Sequence, residues 1–259
     1  MRNFRLLIAY DGTDFSGWQR QPDRATIQGQ TEMALERILA SAVTVIGAGR
    51  TDAQVHASGQ VANFFTAKTI PCSNLRKALN DVLPAAIRIL KVEEATPQFH
   101  ARYDARVKVY RYRIFQGPVC PPFLARFVHH LPRKLDAARM DEAARLIEGR
   151  HDFTSFAAAD PEGSKCRTDR TATGEKSRVR CIYSSHVVWR PRTSLLVYEV
   201  RGDGFLRHMV RNIAGTLIEV GAGQREPGDI RRVLAARDRA AAGFTAPANG
   251  LCLVRVDYD

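Results

Sequence analysis

Apolar alternation of strand length and apolar spacing of helix length follow one another in the same order twice along this chain, and that rhythm restricts the fold more than any other feature. Residues 4–10 alternate as a strand does. Thr26 opens a helix with Ile27, Ala34, Leu35 and Ile38 on one face. Val43, Val45 and Ile46 lead into a glycine-punctuated loop, and Val61 and Phe64 lead out of it, which predicts a strand, a loop and a second strand. Ser73 is placed to cap the next helix, with Leu75, Ala78, Leu79 and Val82 at i, i+3, i+4 and i+7 and Pro84 beyond its end. Residues 87–92 make a further strand. The order is βαββαβ, as in ferredoxin-like folds.

The second half repeats this order more loosely. Residues 107–115 read as a strand, and residues 136–148 as a helix with Met140, Ala143, Ala144 and Ile147 inward and Gly149 as its stop. Strands follow near 179–189 and 195–201. A strong amphipathic pattern then runs over 205–220 through Leu206, Met209, Val210, Ile213 and Leu217. A short helix near 229–236 precedes a last strand at 251–256. The fold class expected is α+β: two ferredoxin-like, RRM-like βαββαβ halves, residues 1–105 and 106–259. Edge-to-edge pairing would join them into a continuous mixed, mainly antiparallel sheet with helices on one face and a central basic cleft.

Charge narrows the range of partners. The 259 residues hold 39 Lys and Arg against 27 Asp and Glu, a formal net charge of +12. Such a surplus favours a polyanion, most simply nucleic acid, through phosphate neutralisation and counterion release. An arginine-rich coding bias with no functional meaning is the competing explanation. Residues 161–180 concentrate Lys165, Arg167, Arg170, Lys176, Arg178 and Arg180 among Gly, Ser and Thr, either as a solvated charge run or as a phosphate-contacting arm. Cys72, Cys120, Cys166, Cys181 and Cys252 are dispersed without a C-x-x-C pair, which suits a reducing compartment and argues against a disulfide framework or a zinc site. No targeting segment or membrane-length apolar run is present, so a cytoplasmic location without a membrane partner is expected.

Three separated segments supply candidate site residues. In the first, Asp52 lies in the loop Gly47-Ala48-Gly49-Arg50-Thr51-Asp52-Ala53-Gln54-Val55-His56, with Arg50 two positions before it and His56 four after. The two glycines would let the backbone take positive φ and approach a ligand closely. An Asp following Thr in such a loop is also a good Asx-turn or helix cap, so the loop alone leaves both readings open. In the second, Tyr110 and Tyr112 share one face of their strand, and Arg111 and Arg113 the other. In the third, Arg207 and Arg211 fall four apart on the strongest helical pattern, after Gly202 and Gly204. Ordinary packing for the tyrosines, and the wet side of a helix for the arginines, are the bland alternatives.

These segments resemble the TruA family of tRNA pseudouridine synthases. The matching residues are Tyr10-Asp11-Gly12-Thr13 with Phe15, Gly17, Trp18 and Gln19; Ile27-Gln28-Gly29; and Gly49-Arg50-Thr51-Asp52-Ala53 with Val55-His56-Ala57. Phe99-His100-Ala101-Arg102, the Tyr110-x-Tyr112 strand, and His151-Asp152-Phe153-Thr154-Ser155-Phe156 follow in order. Phe205-Leu206-Arg207-His208-Met209-Val210-Arg211-Asn212-Ile213, Ala246-Pro247 and Gly250-Leu251 complete the set. The resemblance implies conversion of uridine to pseudouridine in the anticodon arm of tRNA, around its positions 38 to 40, by a cofactor-free homodimer. It implies Asp52 as the essential carboxylate and Arg50 as a residue holding the space left by the displaced base. Tyr110 would stack on the uracil or ribose, and Arg211 would pair with Asp52. His56, Arg207 and Arg111 are further candidate RNA contacts, and no metal is implied.

Two departures bear on this reading. Gln54 stands where the family has glycine; if that position needs positive φ, Gln54 carries strain on the order of 1 kcal/mol or more. The basic stretch at 161–180 is longer than the family's usual connection. A tRNA-binding protein that has lost catalysis is the alternative on the same scaffold. A generic RRM-like RNA binder also fits the charge, but leaves Asp52 unexplained.

Overall fold

The computed structural model describes residues 1–158 and 177–258, so most of the basic stretch at 161–180 lies outside the described residues. The chain divides into two compact units, Met1–Tyr110 with Ala248–Asp259, and Arg111–Pro247. The boundary therefore falls at 110/111 rather than 105/106. The last strand joins the first unit, because it pairs with a strand there.

In the first unit the elements are β1 (Arg2–Tyr10), α1 (Ile27–Leu39), β2 (Ile46–Gly47), β3 (His56–Thr66), α2 (Cys72–Val82) and β4 (Ile87–Ala95). The start of β5 (Val107–Phe115) and all of β10 (Leu251–Asp257) belong to it as well. Its sheet order is β4-β1-β3-β10-β5, with β2 paired to β3. β1 runs antiparallel to β3, from Arg2↔Thr66 to Tyr10↔Ala57, and antiparallel to β4. β10 joins β3 in parallel at Cys252↔His56 and Leu253↔Ala57. The period-two pattern of β1 buries Phe4, Leu6, Ile8 and Tyr10, and the Phe4 and Phe64 rings stack at 5.6 Å across the strand pair. Leu35 of α1 and Leu75 and Leu79 of α2 are fully buried in the same core, each worth roughly 1.5–3 kcal/mol relative to exposure.

Two local expectations are corrected here. The strand entering the Asp52 loop is only two residues long, and Val43 is half-buried rather than paired. Pro71, not Ser73, precedes α2, and no side chain caps it; proline's fixed φ suits a helix start without a side-chain bond. Thr26 does cap α1, accepting the Gly29 N–H.

The second unit continues β5 and adds α3 (Pro122–Ala125), β6 (His129–His130), α4 (Ala137–Arg145) and β7 (Gly149–Asp152). Then come β8 (Val179–Arg190), β9 (Leu195–Gly202), α5 (Met209–Gly221) and α6 (Asp229–Ala236). Its sheet order is β5-β9-β8-β7, with β6 parallel to β5. Both β7–β8 and β8–β9 pairs are antiparallel. Asp136 caps α4 by accepting the Ala138 and Arg139 N–H groups. Gly149 does not stop that helix; it opens β7 at φ 99°. α5 is buried almost all round, as its apolar composition requires. It starts at Met209, four residues later than its pattern predicts, behind His208 at φ 59°. Arg207 thus lies in the preceding turn, so the two arginines are not neighbours on one face of a single helix.

The described strands form a mixed, mainly antiparallel α+β architecture. Among the described residues no helix is long and apolar enough to cross a membrane.

Candidate active site

Asp52 occupies the connection between β2 and β3, and a second loop, residues 11–18, pins it in place. The Trp18 N–H donates to the Thr51 carbonyl at 3.0 Å, and the Gln54 N–H donates to the Phe15 carbonyl at 3.2 Å. Tyr10, at the end of β1, shares a buried 2.8 Å hydrogen bond between its hydroxyl and Thr51 Oγ1. A Cβ on Gly12 would come within 2.1 Å of the Val55 carbonyl oxygen, so only glycine permits this approach. Gly17, at φ 91°, is packed against the Thr51 carbonyl, whose oxygen would lie 2.7 Å from an added Cβ. The connection at 48–55 is therefore rigidly braced, while Asp52 itself stays half-buried and Arg50 exposed.

The roles of the loop glycines differ from expectation. Neither Gly47 nor Gly49 is at positive φ. Gly47 leaves room for the Trp18 indole, which would lie 2.5 Å from an added Cβ. The positive-φ position is Gln54, at φ 65°. Left-handed backbone costs a non-glycine residue roughly 1–2 kcal/mol, partly offset by the roughly 0.5–1 kcal/mol of extra entropy glycine loses on folding. Gln54→Gly is expected to raise stability by about 0.5–1 kcal/mol, read as a higher urea midpoint at unchanged slope. An unchanged or lower midpoint would show that the loop carries no strain at this position.

Tyr110 comes to this loop from β5. Its ring is buried, 7% exposed, and its hydroxyl is held far above the ordinary phenol range. Burial is the main cause, followed by the charges of Tyr10, Asp52 and Cys252. The acid and the aromatic ring, 58 positions apart in sequence (110 minus 52), are electrostatic neighbours within one unit. Tyr112 shares the buried face and donates its hydroxyl to the Pro247 carbonyl at 2.9 Å.

The remaining candidates occupy different settings. His56 is 4% exposed; its Nδ1 accepts the Gly12 N–H at 3.1 Å and lies 3.2 Å from Asp11 Oδ1. That geometry makes it a brace between the two loops rather than an exposed RNA contact. Arg111 is engaged with Glu199 of β9, through Nε at 2.9 Å and Nη2 at 2.5 Å. Arg211, in the second unit, donates Nε to the Ala246 carbonyl at 2.7 Å, and Arg207 is exposed in the turn before α5. The reading of the sequence did not single out Lys108, whose side chain runs along Gly49. Its position two residues before Tyr110, on the same strand face, was the available signal.

Comparison with known proteins bears on what this arrangement does. A family model described as tRNA pseudouridine synthase matches residues 6–104 and 143–259. The chain is 50% identical over 258 residues to tRNA pseudouridine synthase A of Solibacter usitatus, covering all of both chains. It is 46% identical over 264 residues to tRNA pseudouridine synthase A of Brevibacillus brevis, again over both full lengths. Identity to tRNA pseudouridine synthase A 1 of Desulfotalea psychrophila is 45% over 258 residues, with the same coverage. Among solved structures, a chain of a Cbf5-Nop10-Gar1 complex aligns at TM-score 0.32 and 14% identity, over 96% of this chain and 57% of that one. That likeness is too weak to carry an argument.

Proposed function

The chain belongs to the tRNA pseudouridine synthase family, and on that premise we propose that it isomerises uridine to pseudouridine within tRNA, at positions 38, 39 and 40 of the anticodon stem-loop. What supports the site assignment is the braced loop that carries Asp52, with the buried ring of Tyr110 on β5 close enough to feel its charge. In the reaction the C1′–N1 bond breaks, the uracil turns, and C1′ joins C5. The C5 proton leaves and N1 gains one, so atoms balance with no redox change and no second substrate. Asp52 serves as the ionised nucleophile or base, a role that needs a charge-stabilising neighbour. The family resemblance gives that part to Arg211, and gives Arg50 the part of holding the space from which the base has moved. An aromatic face such as that of Tyr110 suits a uracil taken out of its stack. With the ring closed over as it is here, stacking requires the neighbouring segments to give way when RNA enters. Homodimerisation and a cytoplasmic place of action belong to the same proposal and rest on family resemblance.

The test uses unmodified tRNA carrying uridine in the anticodon arm, incubated with the protein and no added metal or nucleotide. Reverse-transcription stops that depend on carbodiimide (CMC) treatment should emerge at the anticodon-arm uridines. Tight tRNA binding without any such stop would favour a non-catalytic binder instead.

A further inference from the structure

We propose that Lys108 is a substrate-positioning residue whose ammonium holds a phosphodiester oxygen of the target nucleotide; this rests on the reading of the Asp52 loop as the uridine site. The end of the Lys108 side chain lies along Gly49. A Cβ built on Gly49 would be 3.7 Å from Lys108 Cε, 3.9 Å from Nζ and 4.0 Å from Cδ. Gly49 is itself fixed, because the Gln60 side-chain amide donates to its carbonyl at 2.9 Å. The ammonium is therefore seated at a braced part of the loop, one residue from exposed Arg50 and three from Asp52.

Lys108 and Tyr110 are two apart on β5 and so share a face, and Tyr110 is the ring that feels the Asp52 charge. Acid, ring and ammonium thus belong to one unit, with the ammonium beside the loop that carries the acid and the ring close enough to feel its charge. Lys108 is half-buried, a setting in which a lysine characteristically packs its stem and keeps its charged head toward water. An ammonium carries three donors and can keep a contact within the protein while donating to a phosphate oxygen as a second partner. The chemistry asks for such a grip, since the uracil must turn while the ribose-phosphate stays aligned with the carboxylate. A phosphate contact also carries no sequence information, so it serves any uridine brought to the site.

Lys108→Met keeps the aliphatic stem and removes the charge, and Lys108→Arg keeps a cation. With both variants shown to be folded by thermal unfolding, KM, kcat and the salt dependence of tRNA binding are measured. Lys108→Met is expected to raise KM about tenfold with kcat within about threefold, and to lower the slope of log affinity against log salt by about one. Lys108→Arg is expected to restore most of that slope. A Met variant with unchanged KM and slope would overturn the proposal. A Met variant losing kcat alone would also overturn it, placing Lys108 on the carboxylate rather than on phosphate. If the unaltered protein forms no pseudouridine, the activity reading fails, while the salt slope still decides whether Lys108 grips phosphate.

Discussion

Asp52→Ala is expected to lower pseudouridine formation by on the order of 10³-fold or more while tRNA affinity stays within about threefold. The two effects separate because they have different physical sources. Affinity comes from many phosphate contacts on a chain of net charge +12, and one carboxylate contributes, if anything, repulsion. Turnover depends on a single ionised group placed against the target sugar or base. The loop should survive the substitution. Its anchors are backbone bonds from Trp18 and Gln54 and the Tyr10–Thr51 hydroxyl pair, none of which uses the Asp52 side chain. Gel-shift titration alongside the CMC assay reads both quantities. An Asp52→Ala protein that still makes product would remove the catalytic assignment.

The second large effect is expected at Tyr110, where Phe and Ala should differ. Base–aromatic stacking is worth roughly 1–3 kcal/mol by alanine substitution, so Tyr110→Ala should lose about 10- to 100-fold in kcat/KM. Tyr110→Phe keeps the stacking face and should stay within about threefold. The alanine variant also leaves a cavity, because the ring is 7% exposed, and a stability loss of about 3–5 kcal/mol is expected with it. Rates must therefore be compared at a temperature where circular dichroism shows both variants folded. Equal losses in the two variants would transfer the role from the ring to the hydroxyl.

How far the sequence revealed this arrangement varies from element to element. β5 and α6 begin and end where their patterns place them, because alternation and helical spacing there are bounded by clear breaks. The positive φ of Gln54 was legible as well, since the family places glycine at that position. The start of α5 was not. Leu206, Met209 and Val210 continue a helical spacing through a turn, and only the left-handed backbone of His208 marks the true start. Periodicity reports which side chains are apolar, not where the first helical hydrogen bond forms. The return of β10 to the first unit was hidden for a different reason. It depends on pairing His56 with Cys252, nearly two hundred positions away, and no local pattern encodes such a partner. Lys108 was overlooked because its meaning lies in the missing side chain of Gly49, a contact that exists only after folding.

The most direct test concerns the charge at position 52, separated from the bulk of the side chain. Asp52→Asn preserves shape and removes the ionised oxygen, and tRNA tritiated at uridine C5 releases label to water only when C1′ bonds to that carbon. Under single turnover with enzyme in excess, the unaltered protein should release label from the anticodon-arm uridines, and the Asn variant should release none above background. Release by the Asn variant at a rate close to that of the unaltered protein would contradict the account.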